Sequence, residues 1–275
     1  MRNLLSAGIA RLKKEKIFWL GILFMFGLGI FVTLMKYSDV VRYQEKELIS
    51  DTLLIYMQFI GCCGAVFCSI FIGTEYSDGT IRNKLVVGHS RWAIYGANLL
   101  LSICAVVLMA LSYLASYVPL GIFLLGSSGI PAGIIASHMV LSLFTIVAYV
   151  SLFQMLSMLI TKKSTSAVAC LLIFFGLLML AMIIISRLDA PEYISGYSLT
   201  VNGVEQTEPE LNPKYLQPAA RKVYQFFLDL LPSGQGLQIS AFQVTEPVRV
   251  LLLSLGISIV TTATGIFAFR KKDLK

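Results

Sequence analysis

The chain has 275 residues, of which 57% are hydrophobic and only 13% are charged, whereas soluble domains carry about 25% charged residues. This composition excludes an ordinary soluble globular protein. A formal net charge of +7 would suit nucleic acid, but the distribution of the charge indicates orientation in a membrane, and we expect no nucleic-acid partner.

Six long apolar blocks are the main predicted elements. A helix needs roughly 20 apolar residues to cross a hydrocarbon core of about 30 Å, and it satisfies its own backbone hydrogen bonds there. We therefore predict an all-α membrane protein with six transmembrane helices. The predicted spans cover residues 17–35, 53–73, 93–118, 133–160, 167–186 and 250–269. We accordingly divide the chain into four parts. Residues 1–16 form an interfacial helix, residues 17–186 hold the first five spans, residues 187–249 form an extracellular segment, and residues 250–275 hold the sixth span and a basic cytoplasmic tail.

Positive charge collects on one side of this predicted topology. With a cytoplasmic N-terminus, the inner segments hold fourteen Lys and Arg against four Asp and Glu, and the outer segments hold eight against eleven. This bias follows the positive-inside rule, and six spans return the C-terminus to the same side. We expect a multi-pass protein of the plasma (inner) membrane of a bacterial cell, with both termini in the cytoplasm.

The segment before the first span reads RNLLSAGIARLKKEK. Helical spacing places its apolar residues on one side, namely Leu4, Leu5, Ile9 and Leu12. With basic residues close to the span, the pattern is typical of an amphipathic helix in the interface of an anionic inner leaflet, so membrane lipid is an expected partner. The alternative is a frayed basic tail that only sets the topology.

The most informative polar interruption, GTEYSDGTIRNKLVVGHSRW, lies between the second and third spans. Ser77 or Asp78 can cap a helix start, and Gly88 is typical of a helix end. Ile81 and Leu85 fall one turn apart on one side of that helix. We predict a helix of two to three turns, parallel to the membrane, whose mixed charges and exposed aliphatic side chains suit a groove on a soluble protein.

Chemistry that the sequence lacks narrows the function. No Asp, Glu, Lys or Arg lies between Trp92 and Thr161, whereas ion-coupled carriers usually keep such groups at membrane depth. The sequence contains no Gly-Lys dipeptide, and a phosphate-binding loop would end in Gly-Lys-Ser/Thr. The five cysteines lie in predicted spans and are interpreted as packing residues, with no metal site. We expect no catalytic residue and no cofactor on this chain, so energy for active transport must come from another polypeptide.

The largest segment outside the spans, residues 187–249, is predicted to form a small outer α/β cap. Asn202-Gly203 between two β-favourable pieces indicates a hairpin, and residues 218–232 show the stripe of an amphipathic helix. The stripe consists of Val223, Phe226, Phe227, Leu230 and Leu231. We expect this helix to lie against the membrane or a partner, and the alternative is a loose loop whose aromatic side chains rest on lipid.

The stretch EYSDGTIRNKL, joined to one apolar span and followed by another, resembles the membrane subunits of type-2 ATP-binding-cassette (ABC) exporters. In that family a Glu, then Gly-Thr and a basic residue, mark a short coupling helix between spans two and three, and Glu75, Gly79, Thr80 and Arg82 match here. The six-span layout and the N-terminal amphipathic helix are also similar, although the outer segment of about sixty residues is longer than the minimal family form. The resemblance implies a coupling helix at about residues 75–88. It implies the following ATPase-coupling residues: Glu75, Ser77, Asp78, Gly79, Thr80, Ile81, Arg82, Lys84 and Leu85.

The same resemblance implies the permease subunit of an ATP-driven exporter. Two such subunits, identical or different, would pair, each seated on a cytosolic ABC ATPase that binds ATP and Mg²⁺. An interior without charge favours an apolar or amphipathic cargo, such as a peptide, lipid or drug, over bare ions. The alternative is a non-transporting membrane sensor or assembly subunit that binds a cytosolic partner through the same inner helix.

Overall fold

The structure, a computed structural model, describes residues 2–44, 48–126, 128–194, 197–200, 203–206 and 210–273. These residues form ten α-helices, one 3-10 helix (Ile49–Thr52) and four short strands. In chain order the helices are α1 (Arg2–Leu12), α2 (Lys16–Tyr43), α3 (Tyr56–Ser77), α4 (Thr80–Val86), α5 (Arg91–Leu124), α6 (Ala132–Leu159), α7 (Lys163–Leu188), α8 (Pro218–Leu230), α9 (Pro232–Ser240) and α10 (Pro247–Lys271).

Six of these helices are long and apolar enough to cross a membrane: α2, α3 with the 3-10 turn before it, α5, α6, α7 and α10. This finding confirms the predicted all-α membrane fold with six spans. Helix α5 differs from its prediction, because it runs through Pro119 to Leu124 instead of ending at residue 118. Transmembrane helices tolerate an internal proline, since neighbouring helices and side chains satisfy the freed backbone groups. The four-part division of the chain stays a prediction.

Helix α3 lies at the centre of the bundle, where it packs against α2, α5, α6 and α7. Its side chains Phe67 and Phe71 are buried and stack on one another, with 5.1 Å between ring centroids. On the facing helix α6, Tyr149 and Phe153 are buried in the same way and stack at 5.9 Å. Because interiors are close-packed, a shift of α3 moves the helices around it.

Helix α1 is partly buried against the rest of the protein and partly exposed. Leu4 and Leu12 are buried, and Leu101 of α5 lies directly against Gly8. Ile9 is 47% exposed, so only part of the predicted apolar stripe is free for lipid. The predicted N-terminal helix is therefore present, and it is docked on the N-terminal part of α5 and is not a frayed tail.

The strands of the outer segment form two antiparallel pairs. Strand β1 (Tyr193–Ile194) pairs with β4 (Glu210–Leu211), and β2 (Tyr197–Thr200) pairs with β3 (Gly203–Gln206). Thr200 lies opposite Gly203, which is where the sequence predicted the hairpin turn. Asn202 of that predicted turn lies outside the described residues.

The helix predicted over residues 218–232 is present as α8, and a further helix follows it directly. Helix α8 ends at Leu230, and Pro232 begins the separate helix α9. A proline favours this position, because its ring fixes a helical φ and the first helical N–H needs no partner. Helix α9 was not predicted, since its residues PSGQGLQIS carry no regular apolar stripe. It is nevertheless largely buried, in contact with α3, α6, α7 and α8.

Candidate energy-coupling site

The short helix α4 is separated from α3 by one glycine. Asp78 ends α3, and Gly79 precedes α4 with a φ of +64°, a left-handed conformation that glycine adopts without steric cost. Ser77 donates a hydrogen bond back to the carbonyl of Gly73, 2.9 Å away. The predicted capping of α4 by Ser77 or Asp78 is therefore wrong. Both residues, and Glu75 before them, belong to the end of α3, because Gly79 turns the chain.

The end of α4 follows the prediction for Gly88. That residue has a φ of +96°, and its N–H donates to the carbonyl of Leu85 at 2.9 Å, while the N–H of His89 donates to the carbonyl of Lys84 at 3.1 Å. These two bonds form a Schellman motif, which satisfies carbonyls left free at a helix end. Helix α4 thus has two turns, and its C-terminus is capped.

One face of helix α4 packs against the rest of the protein, and the opposite face is exposed. Ile81 is buried in the main core, and Leu85 packs beside Leu4 of α1. These two aliphatic residues anchor the helix, so the expectation that they form an exposed docking stripe is wrong. The exposed side chains are instead Arg82, Asn83, Val86 and Val87, and the two valines are 80% and 77% exposed. We call these four residues the α4 outer face.

A buried carboxylate connects α4 to three other helices. Glu75 is only 2% exposed, and its Oε1 atom forms ion pairs with Lys84 of α4 and with Arg11 of α1, the latter at 2.6 Å. Its Oε2 atom accepts a hydrogen bond of 2.7 Å from Asn98 of α5. Burying a charge is costly unless cations and hydrogen bonds compensate it, and here both are supplied. We call these four residues the Glu75 hub.

Arg11 holds α1 in place by more than its ion pair. Its guanidinium donates a hydrogen bond of 2.5 Å to the carbonyl of Phe71 and lies 4.3 Å from the centroid of the Phe71 ring. A guanidinium over an aromatic face is attracted by the ring quadrupole. The C-terminal parts of α1 and α3 are thereby joined by three contacts of a single side chain.

The C-terminal end of α10 contacts the same region. Lys272 donates hydrogen bonds to the carbonyl of Met158 at 2.8 Å and to the hydroxyl of Tyr76 at 3.1 Å. Arg91 at the start of α5 donates to the carbonyl of Phe269 at 2.8 Å. Partial burial lowers the pKa of Lys272 to about 8, because leaving water disfavours the charged amine. The C-terminal ends of α3, α6 and α10 and the N-terminal end of α5 therefore form one connected layer.

A second buried carboxylate lies on α8, in the segment between α7 and α10. Asp229 of α8 is fully buried and accepts hydrogen bonds from Arg249 at 2.7 Å, from Gln238 at 2.9 Å and from Gln225 at 3.0 Å. Nearby, Gln235 of α9 donates to the Asp229 carbonyl at 2.8 Å. We call these five residues the Asp229 hub. The sequence analysis did not predict it, because a single acid on an amphipathic helix carries no local signal that it is buried.

The predicted apolar stripe of α8 faces away from the protein. Its members Val223, Phe226, Phe227 and Leu230 are exposed, and Leu231 is half-buried. The buried face of α8 instead carries Leu228 and Asp229. The expectation that this helix lies against the membrane or a partner stays a prediction, but its apolar stripe is free for such a contact.

An apolar groove opens along the membrane-spanning part of α2. It has a volume of about 770 Å³ and is bordered by α2, α3 and α5. Its lining includes Gly21, Phe24 and Gly27 of α2 and Cys62, Cys63 and Val66 of α3. Two of the predicted packing cysteines thus line a surface groove. No Asp, Glu, Lys or Arg is part of the lining, so the groove suits an apolar ligand.

The comparison with protein families agrees with this arrangement. The sequence matches the family described as ABC-2 family transporter protein over residues 9–274, which is nearly the whole chain. No curated protein matches the chain. Proteins of this family are membrane components of ABC transporters that work with an ABC ATPase subunit and are not themselves the ATPase. With its six spans, the chain is a multi-pass transmembrane subunit of such a transporter, and it belongs to the ABC-2 transporter family, as the stretch EYSDGTIRNKL predicted.

Proposed function

We propose that this protein is the permease subunit of an ATP-driven exporter, in which α4 receives the movement of a cytosolic ATPase and the Glu75 hub passes it to the bundle. The observation that carries the proposal is the joining of α1, α3, α4 and α5 at one buried carboxylate. Seven residues form no stable helix on their own. The position of α4 therefore depends on what it contacts, which is a requirement for a lever.

The α4 outer face is the part that would contact the ATPase. Val86 and Val87 present apolar surface beside the charge of Arg82, a mixture typical of protein interfaces, where an apolar centre is bordered by polar groups. Glu75 acts at a different step in this proposal. Since it is buried, it transmits the movement and does not touch the ATPase.

Transmission through the Glu75 hub follows from its chemistry. If α4 moved alone, Lys84 would leave a buried carboxylate with one cation fewer, which is unfavourable in a medium of low dielectric constant. A concerted shift of α4 with α3 keeps the ion pair. Because α3 is packed at the centre of the bundle, this shift would rock the other spans between inward-facing and outward-facing states.

The proposed complex contains two permease subunits, identical or different, and two cytosolic ATPases. ATP and Mg²⁺ would bind to the ATPases alone. The basic inner ends, among them Arg11, Lys84 and Lys272, support an inner-membrane protein whose two termini are cytoplasmic. This charge pattern and the exporter role together suggest a bacterial cell.

The proposed cargo is apolar or amphipathic, for example a peptide, a lipid or a drug. The groove along α2 supports this class, since no charged side chain is part of its lining. The exposed aromatic face of α8 offers a further apolar surface at the outer end, where a peptide or lipid cargo would emerge. Bare ions would find no compensating charge along this route.

The proposal is tested by changing the α4 outer face. Val86→Asp together with Val87→Asp should reduce the amount of ABC ATPase that co-purifies with the permease by at least about ten-fold, since two buried apolar contacts are each worth about 1 kcal/mol or more. Lys162→Glu, on the exposed inner turn between α6 and α7, is the matched control and should leave co-purification unchanged.

Transport by the purified complex in proteoliposomes completes this test. The valine variant should insert normally but lose ATP-dependent export of an amphipathic dye. Normal export and normal ATPase recovery with both valines replaced would refute the assignment of α4. Recovery of a kinase or regulator in place of an ABC ATPase would favour the sensor alternative.

A further inference from the structure

A small crevice opens where the start of α5 meets the end of α10. It has a volume of about 470 Å³ and is lined by Ser90, Arg91, Trp92 and Arg270. These residues lie at the same end of the bundle as the Glu75 hub, since Arg91 begins α5 and Glu75 is hydrogen-bonded to Asn98 of that helix. The crevice is separate from α4 and from the groove along α2.

The two arginines of the crevice have different roles. Arg91 donates hydrogen bonds to the carbonyls of Phe269 and Lys272, so its guanidinium holds the two helices together and shapes the floor. Arg270 is exposed and makes no hydrogen bond, ion pair or ring contact with any residue that the structure describes. Its five N–H donors are therefore available to a ligand.

The surroundings of Arg270 combine a cation with aromatic surface. Trp92 is 60% exposed on the wall of the crevice, and Phe267, one turn before Arg270 on α10, is 59% exposed. Tryptophan side chains prefer the level of the lipid headgroups. An exposed phenylalanine closer to the middle of the membrane than the headgroups suits contact with acyl chains. A soluble phosphate would form no favourable contact with its ring.

We propose that this crevice binds the phosphate of an anionic phospholipid, with the guanidinium of Arg270 on the phosphate, the indole of Trp92 beside the headgroup and Phe267 against the first part of an acyl chain. Arginine binds phosphate oxygens through two parallel N–H bonds, and anionic lipids attract basic groups at the membrane surface. On the proposed topology the lipid belongs to the inner leaflet. Its occupancy would hold the ends of α5 and α10 at a constant depth.

The chain allows a direct test because it contains only two tryptophans, Trp19 and Trp92. A Trp19→Phe variant reports Trp92 alone. The full chain of this variant is purified and reconstituted without any other protein into phosphatidylcholine vesicles that contain either brominated phosphatidylglycerol or brominated phosphatidylcholine, at equal bromine content. We expect phosphatidylglycerol to bind near Trp92 about five-fold better, which is the factor for one arginine at an anionic surface.

Two neighbouring charges provide matched variants in the Trp19→Phe background. Arg270→Gln should bring the preference for phosphatidylglycerol close to one. Lys271→Gln removes an adjacent positive charge that lies on the ring of Phe267 at 4.3 Å and should leave most of the preference intact. In a Trp92→Phe variant, Trp19 serves as a second reporter, and Arg270→Gln should not change its quenching.

Three results would overturn the proposal. The first is equal quenching of Trp92 by the two brominated lipids. The second is an equal loss of preference in the Arg270 and Lys271 variants, which would mean general surface charge. The third is displacement of the bound lipid by millimolar inorganic phosphate, which would mean a site for a soluble anion. Brominated lipid is present in both leaflets, so the result does not depend on the proposed topology or on export.

Discussion

Two buried carboxylates lie at opposite ends of this protein, and they are held in different ways. Glu75 is paired with two cations, Arg11 and Lys84, whose side chains are each 23% exposed. Asp229 is completely buried and has one cation, Arg249, together with the amide groups of two glutamines. Among the described residues, Glu75 thus keeps a second cation if one of its ion pairs is lost, whereas Asp229 has no second cation.

The range of chain that each hub joins is also different. The Glu75 hub connects residues from position 11 to position 98 on four helices, whereas the side chains bound to Asp229 all lie between positions 225 and 249. A hub that links distant elements through two cations suits the transmission of movement. A hub with a single cation and local amide partners suits a fixed cap.

The largest expected effect comes from removing Arg249, the cation of the Asp229 hub. Arg249→Met leaves Asp229 buried and without a cation, and breaking a buried pair in this way costs about 3–5 kcal/mol. We expect the free energy of unfolding, measured by SDS titration in mixed micelles, to fall by that amount. Adding Asp229→Asn should restore about half or more of it, because the buried charge is gone. If the single and double variants are equally destabilised, the charge of Asp229 does not explain the cost.

Removing one cation from the Glu75 hub should have a smaller effect on stability. Lys84→Met leaves Glu75 paired with Arg11 and hydrogen-bonded to Asn98, so the loss should be about 1–2 kcal/mol, as for one hydrogen bond to a charged group. The amount of cargo exported per ATP hydrolysed should fall more clearly than stability does, because α4 is no longer tied to α3. Co-purification of the ATPase should persist, since the α4 outer face is unchanged.

A double variant tests whether the two cations of Glu75 act together. When Arg11→Met is added to Lys84→Met, Glu75 has lost both cations, and the combined loss of stability should exceed the sum of the single losses, as in a coupled pair. If the losses of stability in the two single variants simply add up in the double variant, one cation does not compensate for the loss of the other. Equal transport per ATP in the wild-type protein and the Lys84 variant would contradict the proposed lever.

The smallest expected effect is at the joint between α3 and α4. Gly79→Ala places a Cβ in open space, so the change tests only the left-handed backbone and should cost about 1 kcal/mol. Gly79→Asn should cost less, since asparagine tolerates this conformation better. Gly176→Ala, in the middle of α7 where a Cβ also meets open space, is the control and should be neutral or stabilising. Equal effects at the two positions would mean that the φ of Gly79 is not required.

Several features were predictable from local sequence because local physics decides them. The six spans follow from the length of the apolar blocks, since a helix must satisfy its own backbone in lipid. The end of α4 followed from Gly88, because a left-handed residue closes a helix whatever surrounds it. The family was predictable from EYSDGTIRNKL, in which Glu75, Gly79, Thr80 and Arg82 stand at fixed spacing.

The faces of the helices were not predictable in the same way. The spacing placed Ile81 and Leu85 together, but it could not tell that this side is anchored on the protein while Val86 and Val87 are exposed. The stripe of α8 was identified correctly as apolar, yet the side of the helix that is buried carries Asp229. An apolar stripe has two competing environments in a membrane protein, lipid and protein, and periodicity alone does not distinguish them.

The local sequence was sufficient to predict six membrane spans, the end of the short helix α4 and the family of the chain. The sharing of Glu75 by four helices, the burial of α9 and the ion pair between Asp229 and Arg249 became visible only in the folded chain. The physical reason is range. Spans, stops and turns depend on neighbours along the chain, whereas a buried charge is tolerated only where distant residues bring it a cation and hydrogen bonds.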